Sequence, residues 1–429
     1  MNLLVIRFKK IYAPFIIWMV VISTFIASLG GFSLLRRQIA GWAWVIPLAV
    51  SITIILRKES LITFPIRIWY PWICIIILYF VKSGFSYPQR TVMLLCPLIV
   101  GMAVSKSRVT ELELSGFLRL TRMLLLALLL TVILKTGFLF TGILPGATGL
   151  SPQSMTAALL CCIFGAEYSV SRKKSLLHWI AGATIPIIAL TRMAITAAGM
   201  TIPFTFASLK IRRRLIFLAI IAVVGVVLFY TERIQKKMFY SGRGDIRDVT
   251  FENPDLFTSG RSRLWDLMKE KIRMRPVWGH GGNASEEFVL SMTWNTLTHP
   301  HNDWLRLLYD YGLVGTSVFV FCLITQVIHL LIRAKNTLGE SRILLYAGAS
   351  SFLPFVLLMF TENIILYAAF FGDLQFTIIG LVYAAQRTQE IDAWQKRGQA
   401  PFSYQAPFSN RSRKQKSERN YRNGFSRDR

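Results

Sequence analysis

The sequence predicts an all-α, polytopic integral membrane protein with about twelve transmembrane helices and one large loop that contains short helices. Hydrophobic residues make up 53% of the 429 residues and charged residues only 17%. Soluble chains carry roughly 25% charged residues. Apolar runs of roughly 20 residues, the length that a helix needs to cross a bilayer, recur from Ile11 to Ala385. Lipid is therefore the expected solvent for most of the chain.

The apolar runs place nine helices before the large loop and three after it. The nine are expected near residues 11–30, 39–56, 64–81, 91–105, 120–140, 152–170, 176–191, 193–209 and 215–230. The three are expected near residues 304–332, 344–360 and 363–385. Several contain proline, which a spanning helix tolerates because neighbouring helices can satisfy the freed carbonyls.

The chain accordingly divides into four parts: N-terminal transmembrane helices (1–230), a large loop (231–303), C-terminal transmembrane helices (304–385) and a basic tail (386–429). The tail lacks apolar periodicity and is expected to be disordered and attracted to anionic lipid. Basic residues before the first apolar run, without a convincing cleavage site, predict an uncleaved first helix.

The net charge of +27 follows the positive-inside rule. With twelve crossings, one side receives the basic tail and the clusters at 57–58, 106–108, 172–174, 210–214 and 333–335. Both termini are therefore predicted to be cytoplasmic, in the bacterial inner membrane, with the large loop in the periplasm. No basic stripe is interleaved with aromatic residues, so membrane lipids rather than nucleic acid are the expected partner.

The five cysteines lie in apolar runs, none of them in the large loop, and are expected to be small buried hydrophobic residues. The loop itself contains three tryptophans and an expected amphipathic helix over residues 263–274. The polar side of this helix is basic, which suits an interfacial helix beside lipid head groups.

His301 is the leading candidate for chemistry. It lies in His299-Pro300-His301-Asn302-Asp303, just before a spanning helix that Asn302 or Asp303 can cap. An imidazole at this wet position can act as a general base. By residue type alone, a surface histidine beside a helix cap is the simpler interpretation.

The spacing of motifs favours the catalytic interpretation. One motif consists of His301-Asn302, a gap of nine residues, and Gly312-Leu313-Val314-Gly315. This motif resembles the signature of the O-antigen ligase and O-antigen polymerase superfamily. Ser259-Gly260-Arg261 followed by Trp265, and the segment 276–281, resemble the loop pattern of the same family. The two glycines of the signature are expected to serve ordinary helix packing, with a bend in the helix as the alternative.

The resemblance implies glycan transfer from an undecaprenyl-diphosphate carrier to an acceptor hydroxyl outside the membrane. It implies that His301 is the base and that Arg261 holds the diphosphate, because a guanidinium binds phosphate bidentately. Arg192 is expected to assist Arg261, with a snorkelling interfacial side chain as the alternative. The remaining candidate substrate contacts are Arg263, Arg273 and Asn302, although a solvated charge is the more ordinary role of these two arginines.

We expect no cofactor and no metal. His280 and His299 could join His301 as ligands, but no supporting carboxylate set is evident in the loop. Glu362 and Asp373 are expected within the last two spans, where they line a water-filled cavity or, in a rival interpretation, a proton path.

The acceptor is either another lipid-linked glycan, as in a polymerase, or a lipid A core sugar, as in a ligase; the motifs are shared by both. A chain-length regulator or a flippase remains open as an accessory partner. The rival function is a transporter or flippase of lipid-linked glycans, and a third is a scaffold subunit of an export complex. Against transport stand the single large loop and the absence of inverted repeats.

Overall fold

The apolar runs form helices in the computed structural model, which describes residues 2–29, 33–34, 37–57, 61–85, 87–136, 150–171, 174–239, 241–249, 261–294 and 296–396. Before the large loop the helices are α1 (Asn2–Ser28), α2 (Val45–Leu56), α3 (Tyr70–Lys82), α4 (Pro88–Ser105), α5 (Glu111–Thr136), α6 (Ser151–Ser171), α7 (Ser175–Ile188), α8 (Arg192–Met200) and α9 (Ile211–Phe229). A two-residue antiparallel pair, β1 (Ser33–Leu34) and β2 (Arg37–Gln38), follows α1. Short 3₁₀ turns cover Ile39–Trp42 and Ile66–Ile68.

The large loop and the C-terminal part are also helical. The loop contains α10 (Glu232–Met238), a 3₁₀ turn (Ile246–Asp248), α11 (Ser262–Met274) and α12 (Ala284–Met292). After it come α13 (Asp303–Lys335), α14 (Gly339–Ser350), α15 (Phe352–Leu358), a 3₁₀ turn (Ile364–Leu366), a π-helical turn (Ala368–Gly372) and α16 (Asp373–Lys396).

Six helical stretches of the described residues are long and apolar enough to cross a membrane: Pro88–Ser105, Glu111–Thr136, Ser151–Ser171, Asp303–Lys335, Gly339–Leu358 and Ala368–Ala393. Four shorter apolar helices accompany them: Phe15–Ser28, Val45–Leu56, Tyr70–Lys82 and Ser175–Ile188. This agrees with a helical multi-pass membrane protein. The number of twelve crossings and the side on which the large loop lies stay predictions.

Three expected helices differ from their observed form. The helix expected over 193–209 ends at Met200, and turns containing Pro203 follow, since proline lacks the N–H that a helix needs. The helix expected over 344–360 is interrupted at Ser351 between α14 and α15. The stretch expected as one helix over 363–385 begins with the 3₁₀ and π-helical turns, which leaves residues 359–367 as a non-α segment at the end of the bundle.

The core of the bundle is built around α6, which is buried along most of its length and packs against α7, α8 and α14. By contrast, α9 buries none of its side chains and exposes several large apolar ones. An exposed apolar surface of this kind suits lipid rather than water.

A break in α13 at Gly312 links the bundle to the large loop. Gly312 has φ 64° and ψ −167°, and the loop segment 276–281 runs along the break. Backbone hydrogen bonds join His280 N to Tyr309 O (2.8 Å) and Leu313 N to Pro276 O (2.8 Å). A β-carbon on Gly312 would lie 2.3 Å from Val277 O, so only glycine fits. The expectation of ordinary helix packing for Gly312 is wrong: this glycine bends the helix so that the loop backbone can dock.

The chain divides into a compact unit of residues 1–386 and a second unit of residues 387–429. Of the second unit, residues 387–396 are described, as helix. Most of the tail predicted to be disordered therefore lies outside the described residues.

Candidate active site

His301 lies at the beginning of α13, in the left-handed region of backbone space with φ 52°. Such a conformation is uncommon for a residue other than glycine and tends to mark functional sites. The next residue, Asn302, caps the helix: its Oδ1 accepts a hydrogen bond from Leu305 N at 3.0 Å. The imidazole of His301 is about a quarter exposed (26%), and its Nδ1 lies 3.7 Å from Oε2 of Glu362. The cap therefore fixes the start of the helix and leaves His301 just outside it.

Asp303 fastens the segment 359–367 to the beginning of α13. Its backbone N–H donates to Met359 O at 2.8 Å, and its Oδ2 accepts from Ile365 N at 2.8 Å. The Asp303 side chain is fully buried. These two bonds hold both ends of the segment that carries Glu362, which explains how a residue far along the chain comes to face His301.

Trp265 fastens the other side of the site. The indole Nε1 of Trp265, on α11, donates to Pro300 O at 2.8 Å, one residue before His301. Arg261 immediately precedes α11, one helical turn before Trp265. The Gly-Arg and tryptophan motif and the His-Asn motif, separate in the sequence, are therefore joined by a direct hydrogen bond. Ser259 and Gly260 of the motif lie outside the described residues.

Arg261 and Arg192 lie close enough to influence one another. Burial lowers the pKa of the Arg261 guanidinium, whereas the nearby Glu362 and Tyr367 raise it. Burial also lowers the pKa of Arg192, and the positive charge of Arg261 lowers it further. Arg261 Nη1 points to Thr361 O at 3.5 Å. Guanidinium stays charged in proteins, so Arg192 and Arg261 are two partly buried positive charges near one another. Such a pair favours binding of an anion.

Glu362 is the centre of the arrangement. It lies in the segment 359–367, faces His301 through Oε2, and interacts electrostatically with Arg261. Its Oε1 lies 3.4 Å from Ser151 Oγ at the start of α6. Burial raises the pKa of the Tyr367 hydroxyl, and the negative charge of Glu362 raises it further. Tyr367 therefore remains a hydrogen-bond donor at neutral pH. The sequence pointed to Glu362 only as a charge within a span, and neither Ser151 nor Tyr367 stood out in it.

Arg263 and Arg273 lie on the exposed side of α11. Arg273 is twelve residues from Arg261, about 18 Å along a helix at 1.5 Å per residue. The structure brings Arg192, Arg261, Asn302 and His301 together with Glu362, and leaves Arg263 and Arg273 on the surface. A role for these two arginines in substrate binding stays a prediction.

His299 belongs to a second, structural cluster. Arg90 on α4 binds Glu286 on α12 bidentately, with Nε–Oε2 3.0 Å and Nη2–Oε1 3.2 Å. His299 Nδ1 lies 3.9 Å from the same carboxylate. Burial lowers the pKa of His299 to about 3, and the positive charges of Arg306 and Arg90 act in the same direction. His299 is therefore neutral at physiological pH and is not the equivalent of His301.

His280 is also engaged elsewhere. Its ring stacks on Tyr309 with centroids 4.5 Å apart, and its Nε2 lies 2.9 Å from Lys271 O. Across the described part of the chain, His, Cys, Asp and Glu side chains form no group of three that could hold a metal ion. Asp373 lies apart from the site, buried at the start of α16, with Oδ2 3.8 Å from Cys96 Sγ.

The site thus combines a partly accessible imidazole, a carboxylate beside it and two guanidiniums. The imidazole can take a proton from a hydroxyl, and the guanidiniums can stabilise a phosphate-containing leaving group. These are the two functions that a group transfer from a diphosphate requires.

The comparison with known families agrees with this chemistry. Residues 177–320, about a third of the chain, match the family model described as O-antigen ligase. The matched region includes Arg192, Arg261 and His301 and ends within α13; Glu362 lies beyond it. The resemblance inferred from the His-Asn motif is confirmed. No curated protein matches the chain.

Proposed function

We propose that this chain, whose residues 177–320 carry an O-antigen ligase domain, is an integral-membrane glycosyltransferase. It transfers a glycan from an undecaprenyl-diphosphate-linked donor to an acceptor hydroxyl on the periplasmic face of the bacterial inner membrane. The observation that supports this most is that Arg261 and His301, 40 residues apart in sequence, reach the same short segment: Arg261 Nη1 lies 3.5 Å from Thr361 O, and His301 Nδ1 lies 3.7 Å from Glu362 Oε2.

Arg261 and Arg192 bind the diphosphate of the donor. The donor is a lipid, so its diphosphate lies at the membrane surface, and two guanidiniums whose charges repel one another gain most from an anion between them. As the bond between the anomeric carbon and the diphosphate oxygen breaks, the bonding electrons remain on that oxygen. The guanidiniums stabilise the charge that accumulates there.

His301 activates the acceptor. Its Nδ1 is buried and faces Glu362, which leaves Nε2 to receive the proton of the acceptor hydroxyl. The hydroxyl oxygen then forms a bond to the anomeric carbon from the side opposite the diphosphate. This direct displacement inverts the anomeric centre.

Arginine neutralises the charge of the leaving group in this mechanism, so no metal ion is required. Transfer by the purified protein should survive exhaustive chelation. Loss of transfer under chelation, restored specifically by Mg²⁺ or Mn²⁺, would contradict this part of the mechanism.

The acceptor is a second lipid-linked glycan or a lipid A core sugar, and both fit the proposed chemistry. The product identifies the acceptor: a polymerase yields a longer glycan that is still lipid-linked, whereas a ligase yields the glycan attached to lipid A core. A chain-length regulator or a flippase is the expected accessory partner in the cell.

Complementation of a deletion strain tests the proposal. Surface glycan is read on a gel, and the amount of protein by blot. Arg261→Ala should abolish the glycan, and Arg261→Lys should remain impaired because a point charge cannot reproduce the bidentate fork. Lys271→Ala, on the exposed side of α11, is the control and should be normal. Normal glycan from Arg261→Ala at a normal protein level would contradict the proposal, as would accumulation of untransferred donor on the cytoplasmic side, which indicates a flippase.

A further inference from the structure

Glu362 occupies a position that no motif assigns. Its side chain is 16% exposed, and its two oxygens face different elements: Oε2 lies 3.7 Å from His301 Nδ1, and Oε1 lies 3.4 Å from Ser151 Oγ. The carbonyl of its neighbour Thr361 lies 3.5 Å from Arg261 Nη1. Two consecutive residues, Thr361 and Glu362, thus face the proposed diphosphate ligand and the proposed base.

The contact between Glu362 and His301 is longer than a hydrogen bond. A hydrogen bond from an imidazole nitrogen to a carboxylate oxygen spans about 2.7–3.2 Å, whereas this distance is 3.7 Å. The buried Nδ1 has no hydrogen-bond partner among the described residues. A buried nitrogen without a hydrogen-bond partner is unfavourable, so a small movement of Glu362 toward His301 would stabilise both groups.

Glu362 also interacts electrostatically with Arg261, whose Nη1 faces the carbonyl oxygen of Thr361. The negative charge of Glu362 favours the charged form of Arg261, which burial disfavours. Asp303 and Tyr367 also interact electrostatically with Glu362, and His299 interacts with His301. A donor diphosphate bound to Arg261 would supply the negative charge that Glu362 provides in its absence.

We propose that Glu362 is the positioning residue of the transfer reaction. Before the donor binds, its negative charge balances the positive charge of Arg261. Once the diphosphate of the donor balances that charge instead, Glu362 accepts a hydrogen bond from His301 Nδ1 and orients the imidazole. With Nδ1–H donated to Glu362, Nε2 is the nitrogen left as proton acceptor. The base is therefore completed only when the donor is in place. This inference rests on the proposed function.

The experiment compares wild type, Glu362→Gln, Glu362→Asp and the control Glu270→Gln, each as the full chain in nanodiscs. Glu270 is an exposed carboxylate on α11, so its variant makes the same chemical change away from the site. Affinity is measured with undecaprenyl diphosphate as the probe. Turnover is measured as release of undecaprenyl diphosphate from lipid-linked glycan extracted from the producing strain, in the presence of its acceptor.

Glu362→Gln should lower kcat at least tenfold. Its affinity for undecaprenyl diphosphate should equal or exceed that of wild type, because glutamine has no negative charge to interact with Arg261 in place of the diphosphate. Glu362→Asp should recover part of kcat, and Glu270→Gln should match wild type. A merely structural role predicts that affinity and kcat fall together. That outcome, or an unchanged kcat in Glu362→Gln, would overturn the inference.

The two proposals fail in different ways. If wild type releases no undecaprenyl diphosphate although it binds it, the proposed function is wrong. If wild type turns over and Glu362→Gln equals it, glycan transfer stands and only the role of Glu362 is wrong.

Discussion

The indole nitrogen of Trp265 donates a hydrogen bond to the carbonyl oxygen of Pro300 at 2.8 Å, and this bond joins the two halves of the candidate site. Trp265 is one turn after Arg261, and Pro300 is one residue before His301. Together with the packing of Leu264 and Met268 on Tyr309, this bond sets the position of Arg261 relative to His301. Since misplacement of reacting groups by about 1 Å can cost about 10²-fold in rate, this bond has consequences for turnover.

Trp265→Phe should keep the aromatic packing of α11 and remove the bond to Pro300. We expect kcat to fall about tenfold or more while the protein still accumulates, since loss of one such hydrogen bond costs only about 1 kcal/mol of stability. Trp294→Phe, at a side chain that is 91% exposed, is the matched control and should be neutral. Equal turnover by Trp265→Phe and wild type would show that the bond does not position His301.

Gly312→Ala should be severely destabilising. A methyl group at this position would lie 2.3 Å from Val277 O, and alanine is strained at φ 64°. We expect a loss of more than about 3 kcal/mol, seen as a lower midpoint in a thermal unfolding assay of the purified protein. Gly225→Ala in α9 is the control: a methyl group there would meet no atom within 4 Å, and alanine is the better helix former. If both variants unfold at the same temperature, the break in α13 does not depend on Gly312.

His299 should make stability depend on pH. Its pKa is lowered to about 3 by burial in the folded protein, against 6.5 in the unfolded chain. Below about pH 6.5 the unfolded state therefore binds one more proton than the folded state, so stability is full above that pH and falls as the pH drops toward 3. The expected loss at pH 5 is about 2 kcal/mol.

The measurement compares thermal midpoints of wild type and His299→Gln at pH 7.5 and pH 5.0. Glutamine cannot take up the proton, so the midpoint of this variant should fall less between the two pH values. An identical drop in both proteins would mean that other groups govern the acid sensitivity.

The orientation of α13 gives a topological prediction. Ser291 is exposed in the large loop, and Asn336 is exposed just after the other end of α13. The test uses a protein in which the exposed Cys74 is replaced by alanine, so that it cannot react itself. In this protein, Ser291→Cys should react with a membrane-impermeant thiol reagent in outer-membrane-permeabilised cells. Cysteine at Asn336 should react only after lysis. The reverse labelling pattern would place the site in the cytoplasm and exclude the proposed donor.

Much of the site is recognisable from local sequence, because its parts are local. Asn302 caps the helix that follows it, and the nine residues up to Gly312 form the first part of α13, before its break. Arg261 immediately precedes α11, one turn before Trp265. Such local motifs can be compared with those of known families, and their resemblance to the O-antigen ligase and polymerase signature made His301 and Arg261 candidates.

The features of the site that the sequence did not predict are those created by contacts between distant segments. Glu362 is 61 residues after His301, and Ser151 is 150 residues before it. The hydrogen bonds of Asp303 with Met359 and Ile365 hold Glu362 near His301, and a buried aspartate gives no periodic signal. The bend at Gly312 was expected only as the alternative to ordinary packing, since the loop backbone that requires it lies more than 30 residues earlier in the chain.

The most direct test of the proposed mechanism is the turnover of purified His301→Ala, measured as release of undecaprenyl diphosphate from lipid-linked glycan in nanodiscs. His301 is not part of the packed core, so the variant should fold and bind undecaprenyl diphosphate as wild type does. We predict a turnover lower by about 10²–10⁴-fold, the usual contribution of a positioned general base. A His301→Ala protein that binds undecaprenyl diphosphate and releases it at the wild-type rate would contradict the mechanism, because the acceptor would then be activated without His301.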